Sequence, residues 1–407
     1  MTDTDVHRRL AALLRYVDTA GWASYDNFDW WATPWGQRLK QWAYRTEPLG
    51  NLVFAAPLLA CELWLPFLRK PLGIPKRVYP ICIAHHGLTC LELYRQTRDE
   101  HYLHTARGDA ELLGAQAIPG AKGLCWGFPF VWSTNVGIIP ANQPAATQSA
   151  YGYDLFEQLW ALTGEPLYRE QLLSVARAMA EEYVDLPQPD GVANTYHGRG
   201  FGDIVINAIS YRMYVLAAAV GQGAEQWRPT ALGLVRYLLS QQQADGGWWY
   251  GTTPKNRFID HFHTCFVLKN LARADRVLQL PEIAAAIERG LAFYWTHLFD
   301  AHGLPRPFAR TVRLNLVRYE SYDFAECLGL FALFGKTREF AGERLQTILG
   351  AFFRLFGLPD GALRFRVYRV PTATSYPYYR FGMTAAMLAL AQLLNSEWFA
   401  AQREEGK

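Results

Sequence analysis

The feature that most constrains this chain is a turn that repeats. A small-residue or acidic turn ending in Gly recurs at Ala121-Lys122-Gly123, Pro189-Asp190-Gly191, Ala244-Asp245-Gly246, Ala301-His302-Gly303 and Pro359-Asp360-Gly361. The spacing is roughly 55 to 70 residues, the length of a helix hairpin with its loops, and self-similarity at a fixed period marks a repeat architecture. Each turn follows an apolar helical stretch and precedes aromatic and Arg residues. Loops of repeat proteins gather on one face, and that face usually binds.

Between the turns, the periodicity is helical. Tyr168 to Tyr183 is apolar at Leu172, Val175, Met179 and Tyr183, the stripe of an amphipathic helix. The stretch before it, Ala150 to Leu162, ends at Gly164-Glu165-Pro166, a helix stop. Similar pairs are predicted over 81–95 with 102–118, 206–220 with 227–242, 262–274 with 281–298, and 323–334 with 339–356, and a last helix over 381–394. The first member of each pair is small and apolar, as in Val215 to Val220; the second carries charge, as in Arg169, Arg177, Glu181 and Glu182. A helix apolar all round is buried, and one with a charged stripe faces solvent. Inner and outer rings follow, so the expected fold is all-α, an (α/α)6 toroid with the Gly turns at one mouth. Strand signals are few; 364–370 alternates and predicts a short ribbon. Residues 1–50 are expected to form an arm rich in aromatics (Trp22, Trp30, Trp31, Trp35, Trp42), and 51–407 the single toroid domain.

Composition supports a large shared core: 50% of residues are hydrophobic and only 19% charged, which excludes a disordered chain. A net charge of +3 is too small to imply nucleic acid. The six Cys form no CxxC pair and predict reduced, buried thiols, as in a cytoplasmic protein. The start of the chain lacks the apolar core of a secretory signal. The apolar stretch 52–68 contains Glu62, Pro57 and Pro66, is short for a membrane span, and predicts a buried helix. The basic pairs Arg69-Lys70 and Lys76-Arg77 beside it leave peripheral contact with the inner membrane open.

Three segments carry candidate chemistry. Asp260, His261 and His263 open an inner helix after the aromatic run Trp248-Trp249-Tyr250 and Arg257. Asp260 reads either as a plain helix cap or as a site carboxylate. His261 and His263 are two apart and point in different directions, so no metal and no cofactor are expected. Glu320, Tyr322 and Asp323 open the next inner helix. With Asp260 they supply an acid and a base for glycosidic bond cleavage, although capping also accounts for them. Tyr379 and Arg380 belong to an aromatic run at 374–381, where Tyr reads as a sugar platform, a proton-abstracting group or plain packing. Arg306, Arg310, Arg313, Arg318, Arg364, Arg366, Arg369 and Arg380 fall near two successive loops and suit an anionic ligand. Trp126, Trp132, Tyr196 and His197 complete the binding candidates. No phosphate loop, GxGxxG, HExxH or GxSxG string is present.

Several strings resemble the VpsJ-like family of bacterial polysaccharide biosynthesis. Tyr25-Asp26-Asn27-Phe28-Asp29 resembles its early YDxxD stretch, and Leu65 to Ile74 its Leu-, Pro- and Arg-containing segment. Cys125-Trp126-Gly127-Phe128-Pro129-Phe130 resembles its CWGYPFDW signature, and Asp245 to Tyr250 with Phe258 to Thr264 its DGSWPYG and FIDxFHTG pair. Tyr322-Asp323 and Tyr379 to Gly382 resemble its later pieces. The chain departs from the family where Val131 precedes Trp132, where Trp249 replaces Pro, and where Phe381 replaces Trp. The resemblance implies an α/α toroid similar to those of uronyl C5-epimerases, polysaccharide lyases and six-hairpin glycosidases, and a role more than a reaction.

The expectation is an enzyme acting on an acidic polysaccharide or oligosaccharide, free or lipid-linked, by epimerisation, elimination or hydrolysis. Asp260, His261, His263, Glu320, Asp323 and Tyr379 are the proton-transfer candidates. Trp126, Trp132, Tyr196, His197, Trp248, Trp249, Tyr250, Arg257, Arg306, Arg318, Tyr322, Arg366 and Arg380 are the binding candidates. A glycan-binding component of a polysaccharide-assembly complex is the alternative. A terpenoid-type toroid is a third, because Gln241-Gln242-Gln243 before Asp245-Gly246-Gly247-Trp248 resembles the QW repeat, but the chain lacks DxDD and DDxxD strings.

Overall fold

The computed structural model describes residues 1–400 except 47–48, 51–52, 54–55, 135–136, 312–314, 336–339, 371 and 375. Arg313 among the candidates lies outside the described residues. Helices α1 (Asp3–Ala20), α2 (Pro34–Arg45) and α3 (Ala56–Trp64) precede five hairpins: α4 (Pro80–Thr97) with α5 (Glu100–Ala115), α6 (Ala146–Thr163) with α7 (Pro166–Glu181), α8 (Ile206–Gly221) with α9 (Arg228–Ser240), α10 (His261–Leu278) with α11 (Pro281–His297), and α12 (Ser321–Phe334) with α13 (Gly342–Phe356). A last helix, α14 (Thr384–Asn395), follows. The inner ring runs α4, α6, α8, α10, α12, α14 and returns to α4.

Burial separates the two rings as the composition requires. In α8 every residue from Ile206 to Val220 is buried, because the helix is surrounded by protein on all sides. In α13 only one stripe is buried, including Leu345, Ile348, Leu349, Phe352 and Phe356. The sixth hairpin is closed by the two ends of the chain: α1, within the segment expected to form the arm, packs on α14 as its outer partner through Val6, Leu10 and Leu13.

Short antiparallel ribbons join the hairpins, and most of them are invisible in the periodicity. The strands are β1 (Trp132–Thr134) with β2 (Gly137–Ile139), β3 (Leu186–Gln188) with β4 (Gly191–Ala193), β5 (Ile259–Asp260) with β6 (Phe308–Arg310), and β7 (Val317–Glu320) with β8 (Arg366–Tyr368). β8 is the predicted ribbon. The others are two to four residues long, too short to leave an alternation. Four of the five repeated turns have positive φ at their Gly, Gly123 being the exception; at Gly246 (φ 96°) a Cβ would also meet the carbonyl oxygen of Arg289 at 2.2 Å.

Two expectations are corrected. The last inner helix begins at Thr384, not Phe381, because Tyr379–Met383 forms a wide turn broken at Gly382. A Cβ at Gly382 would meet Ser321 Oγ at 2.1 Å, so the chain needs this glycine to approach α12. The helix within 52–68 is not wholly buried. One side of α3 and the turn after it joins Trp30, Leu39, Cys61, Leu68 and Ile74 in a small core of its own. The other side leaves Trp64 and Phe67 63% and 62% exposed. Cys61 is half-buried and the other five Cys are buried; all are free thiols.

Candidate functional site

The N-termini of all six inner helices open on one mouth, and the ribbons decide which side chains reach it. β5 leads into α10 and β7 into α12. Each strand carries a register shift just before its last residue or two, between Ile259 and Asp260 and between Val317 and Tyr319. Bulges of this kind re-aim a side chain. Tyr319 is turned outward, where its hydroxyl donates to Asp300. Glu320 is turned inward, beside its register partner Arg366.

Asp260 and Glu320 stand at the N-cap positions of α10 and α12, yet neither side chain caps its helix. Asp260 Oδ2 instead lies 2.6 Å from His263 Nδ1, and Arg366 Nε donates to Glu320 Oε2 at 2.7 Å. Their second oxygens, Asp260 Oδ1 and Glu320 Oε1, are buried without a protein partner. Asp323, in the first turn of α12, is 1% exposed, and no side chain hydrogen-bonds its carboxylate oxygens; the nearest donor is the backbone of Phe262. Burial, with the charges of Glu320 and Asp260 adding to it, holds the Asp323 carboxyl well above the usual range; the backbone of Phe262 and the Arg366 charge relieve it only in part. Burial also raises Glu320, against the pull of Arg366. Burial and neighbouring negative charge both favour the protonated form of Asp323.

Aromatic rings form a belt around these groups. Tyr250 stacks on Phe258 and leans on His263, both at 4.6 Å between centroids. Phe262 stacks on Tyr322 at 4.9 Å. From there the belt runs through Phe381 to Phe28 of the arm, then Trp132 and Tyr196. His197 lies behind Trp132, near the backbone carbonyls of Gln143 and Pro144, and burial pushes it down to about 4. Asn207, in the first turn of α8, also buries an unpaired oxygen. It was not singled out in the sequence, although a polar residue opening an otherwise apolar helix was there to be read.

Of the proton-transfer candidates, the mouth brings together Asp260, His263, Glu320 and Asp323. His261 is turned away: its ring nitrogens meet the Leu298 carbonyl and the Tyr294 hydroxyl, and burial pushes it down to about 3. Tyr379 is also turned away, packing edge-on against Tyr16 of α1, and burial raises its hydroxyl. Among the binding candidates, Trp132, Tyr196, Tyr250, Tyr322 and Arg366 line the mouth, and His197 is buried behind Trp132. Trp126 and Trp248 are core wedges. Each donates its indole N–H to the last turn of the preceding outer helix, at Leu113 and Leu238, and each lies over a glycine, Gly152 and Gly290. Trp249 sits on the rim under Arg310, 5.6 Å from its ring. Arg257 and Arg318 are exposed, and Arg306 donates to the His297 carbonyl. The QW-like segment is also structural, since Gln242 donates to the carbonyls of Gly246 and Ala286.

Arg380 has a different part. It forms a two-pronged pair with Asp26 of the arm at 2.8 and 2.7 Å, enclosed by Phe28, Tyr79, Phe128, Phe130 and Phe381. A bidentate, desolvated Arg–carboxylate pair is a strong, geometrically specific contact. It fixes the arm over the mouth, and Phe28 follows it into the belt. Among the described residues, one donor group is close enough to hold a metal ion, His86, Cys90 and Asp109. It faces α5 rather than the mouth, with His86 Nδ1 2.6 Å from Asp109.

No protein-family model matches the chain, and no curated protein matches it. Solved structures resemble it over most of its length. A cellobiose 2-epimerase from Bacillus thermoamylovorans B4167 aligns with a TM-score of 0.61 at 11% identity, over 79% of this chain and 90% of that one. The GH76A α-1,6-mannanase of Salegentibacter sp. HEL1_6 aligns at 0.57 and 10% identity, over 78% and 90%. The unsaturated glucuronyl hydrolase of Bacillus sp. GL1 aligns at 0.53 and 13% identity, over 78% and 87%. These likenesses establish the all-α toroid as the fold.

Proposed function

We propose that this protein is a carbohydrate-active enzyme that cleaves a glycosidic bond at the mouth of the ring. The observation that carries the reading is Asp323, a buried carboxyl with no side-chain partner and no cation paired to it, next to Glu320 and Asp260. A carboxyl kept protonated beside ionised carboxylates divides the roles of acid and base. Asp323 donates its proton to the leaving oxygen. Asp260, steadied by His263, activates water as the base. Arg366 pairs with Glu320 and favours its ionised form, whose charge stabilises the oxocarbenium-like transition state. Tyr250, Tyr322 and Trp132 offer ring faces on which sugars stack. The solved structures that share the fold include an epimerase, a mannanase and a glucuronyl hydrolase, and a sugar substrate agrees with all three. A place in bacterial polysaccharide metabolism, as the VpsJ-like resemblance implies, belongs to the same reading.

Epimerisation is the second reading, favoured by one observation. The Asp260–His263 pair gives an imidazole at the mouth able to remove and return a proton. Arg-assisted proton abstraction from a uronate has less support, because Arg306 and Arg380 are engaged elsewhere and Arg318 lies on Tyr319. The test is a panel of neutral and acidic oligosaccharides incubated in heavy water and read by mass spectrometry. Shorter products without carbon-bound deuterium are expected. Deuterium at carbon in an uncleaved sugar would replace hydrolysis with epimerisation. Products lighter by one water would indicate elimination.

A further inference from the structure

Of the thirteen large hydrophobic side chains exposed among the described residues, eight lie between positions 35 and 72. Trp42, Leu49, Val53, Trp64, Phe67 and Leu72 are each half or more exposed. The segment is not unfolded chain: α2, α3 and the turn after α3 share the small core around Trp30, and buried Arg69 ties them together through Glu62, Asp29 and Tyr378. A well-anchored element therefore presents a bare apolar side, and a cluster of this kind marks an interaction surface.

Charge identifies the occupant. Residues 35–77 hold seven Lys and Arg against two Glu, a net of +5, in a chain whose total is +3. The remainder of the chain is thus net negative. Arg38, Arg45, Lys70 and Lys76 of this segment are exposed. Exposed Trp and Phe on the same elements as exposed Lys and Arg match the chemistry of a bilayer interface with anionic headgroups. Among the described residues no helix is long and apolar enough to cross a membrane, and α3, nine residues long, fits the interface plane instead.

We infer that the exposed apolar and basic side chains of α2, α3 and the turn after α3 form a membrane-surface docking patch that seats the protein on an anionic lipid bilayer. The patch inserts Trp64, Phe67 and their neighbours at the boundary between headgroups and acyl chains, while the basic residues meet lipid phosphates. The arm that carries it is the one locked over the mouth by Asp26 and Arg380. Taken with the glycan-cleaving reading, on which this clause rests, docking would bring the mouth to glycans carried on lipid.

The experiment is vesicle flotation of the full-length protein, with no sugar present, so that its outcome is independent of catalysis. The probes are phosphatidylcholine vesicles and mixed phosphatidylglycerol–phosphatidylcholine vesicles. Binding to the mixed vesicles is expected, weakened by salt. Trp64→Ser with Phe67→Ser should lower the partition coefficient at least about tenfold. Lys70→Glu should weaken binding to mixed vesicles. Leu167→Ser, which removes a comparably exposed apolar side chain on α7, should leave binding unchanged and shows that generic stickiness is not the cause. Failure of the unaltered protein to float with either vesicle would overturn the inference. So would a concentration-dependent dimer, abolished by the Trp64 and Phe67 changes, in a protein that binds no lipid; the patch would then join two copies of this chain.

Discussion

The two mouths of the ring bury similar groups and treat them in opposite ways. At the far mouth, where the inner helices end, a cavity of 560 Å³ is lined by residues of all six, including Glu92, Asp154, Glu157, Lys269 and Arg273. There the deep carboxylates have cations: Arg273 meets Asp154 at 2.8 Å, Tyr214 donates to the same carboxylate at 2.7 Å, and Lys269 meets Glu326. At the near mouth Asp323 has none. A paired buried charge is settled in its ionised form and resists proton exchange; an unpaired carboxyl keeps its proton and is available to give it. The same residue types are thus structural at one end of the ring and chemical at the other, and pairing makes the difference.

The sharpest way to break this comparison is Asp323→Asn. Turnover of a cleaved oligosaccharide should fall by about 10²–10⁴-fold, the range of a lost general acid. Stability should move the other way. The folded pKa of Asp323 is raised above its unfolded value, so its favourable contribution is complete below the unfolded pKa and is lost as pH rises toward the folded one. The variant should therefore melt higher than the parent at pH 8, by on the order of 2 °C, and match it more closely at pH 5. An active variant with no change in melting would remove Asp323 from the mechanism.

Lys269→Met is the mirror experiment at the far mouth. Leaving Glu326 buried and unpaired should cost about 3–5 kcal/mol in denaturant unfolding. Turnover of the folded fraction should be unaffected. A selective loss of turnover would show that the far mouth takes part in the chemistry.

Asp26→Asn tests the arm. It keeps the shape but removes the charge facing Arg380, at a cost of about 1.5–3 kcal/mol if the pair behaves as a charged hydrogen bond. Hydrogen exchange should rise at 24–31 before it rises in the ring, and KM should rise more than kcat falls. Uniform exchange across the whole protein would make the pair part of the global core.

The smallest effect is expected at Glu157. Burial, reinforced by Asp154, raises it to about 7. Its carboxyl is half-buried, so it stabilises the fold fully below the unfolded pKa, near 4.5, and loses that contribution as pH climbs through 7. Glu157→Gln should flatten this decline, by on the order of 1–2 kcal/mol at pH 8 once solvent screening is allowed for. An unchanged pH profile of unfolding would show that Glu157 is ionised in the native state.

The near mouth was partly legible in advance. Asp260, His263, Glu320 and Asp323 stand in the first turns of inner helices, and helix starts can be read from local pattern. Trp126 and Trp248 misled because an aromatic beside a turn Gly looks the same whether it stacks on sugar or wedges into a core. Their indole hydrogen bonds to Leu113 and Leu238 settle the matter, and those partners lie on another element. His261 and His263 differ by two positions and by everything that surrounds them: one faces Tyr294 of the outer helix, the other Asp260 at the mouth. Arg380 looked like a ligand-binding cation until the fold brought Asp26 to it from 354 residues away.

The amino-acid sequence by itself determined the ring. Period, helical stripes and the contrast between apolar and charged helices are local properties, and a hairpin repeated at one length has few ways to bury its faces other than stacking around a shared core. Tertiary structure alone decided which carboxyls have cations, which Trp are core, and how the first helix closes the ring on the last. Those depend on groups far apart in the chain, and burial and pairing, which set their charge and chemistry, exist only once the chain has folded.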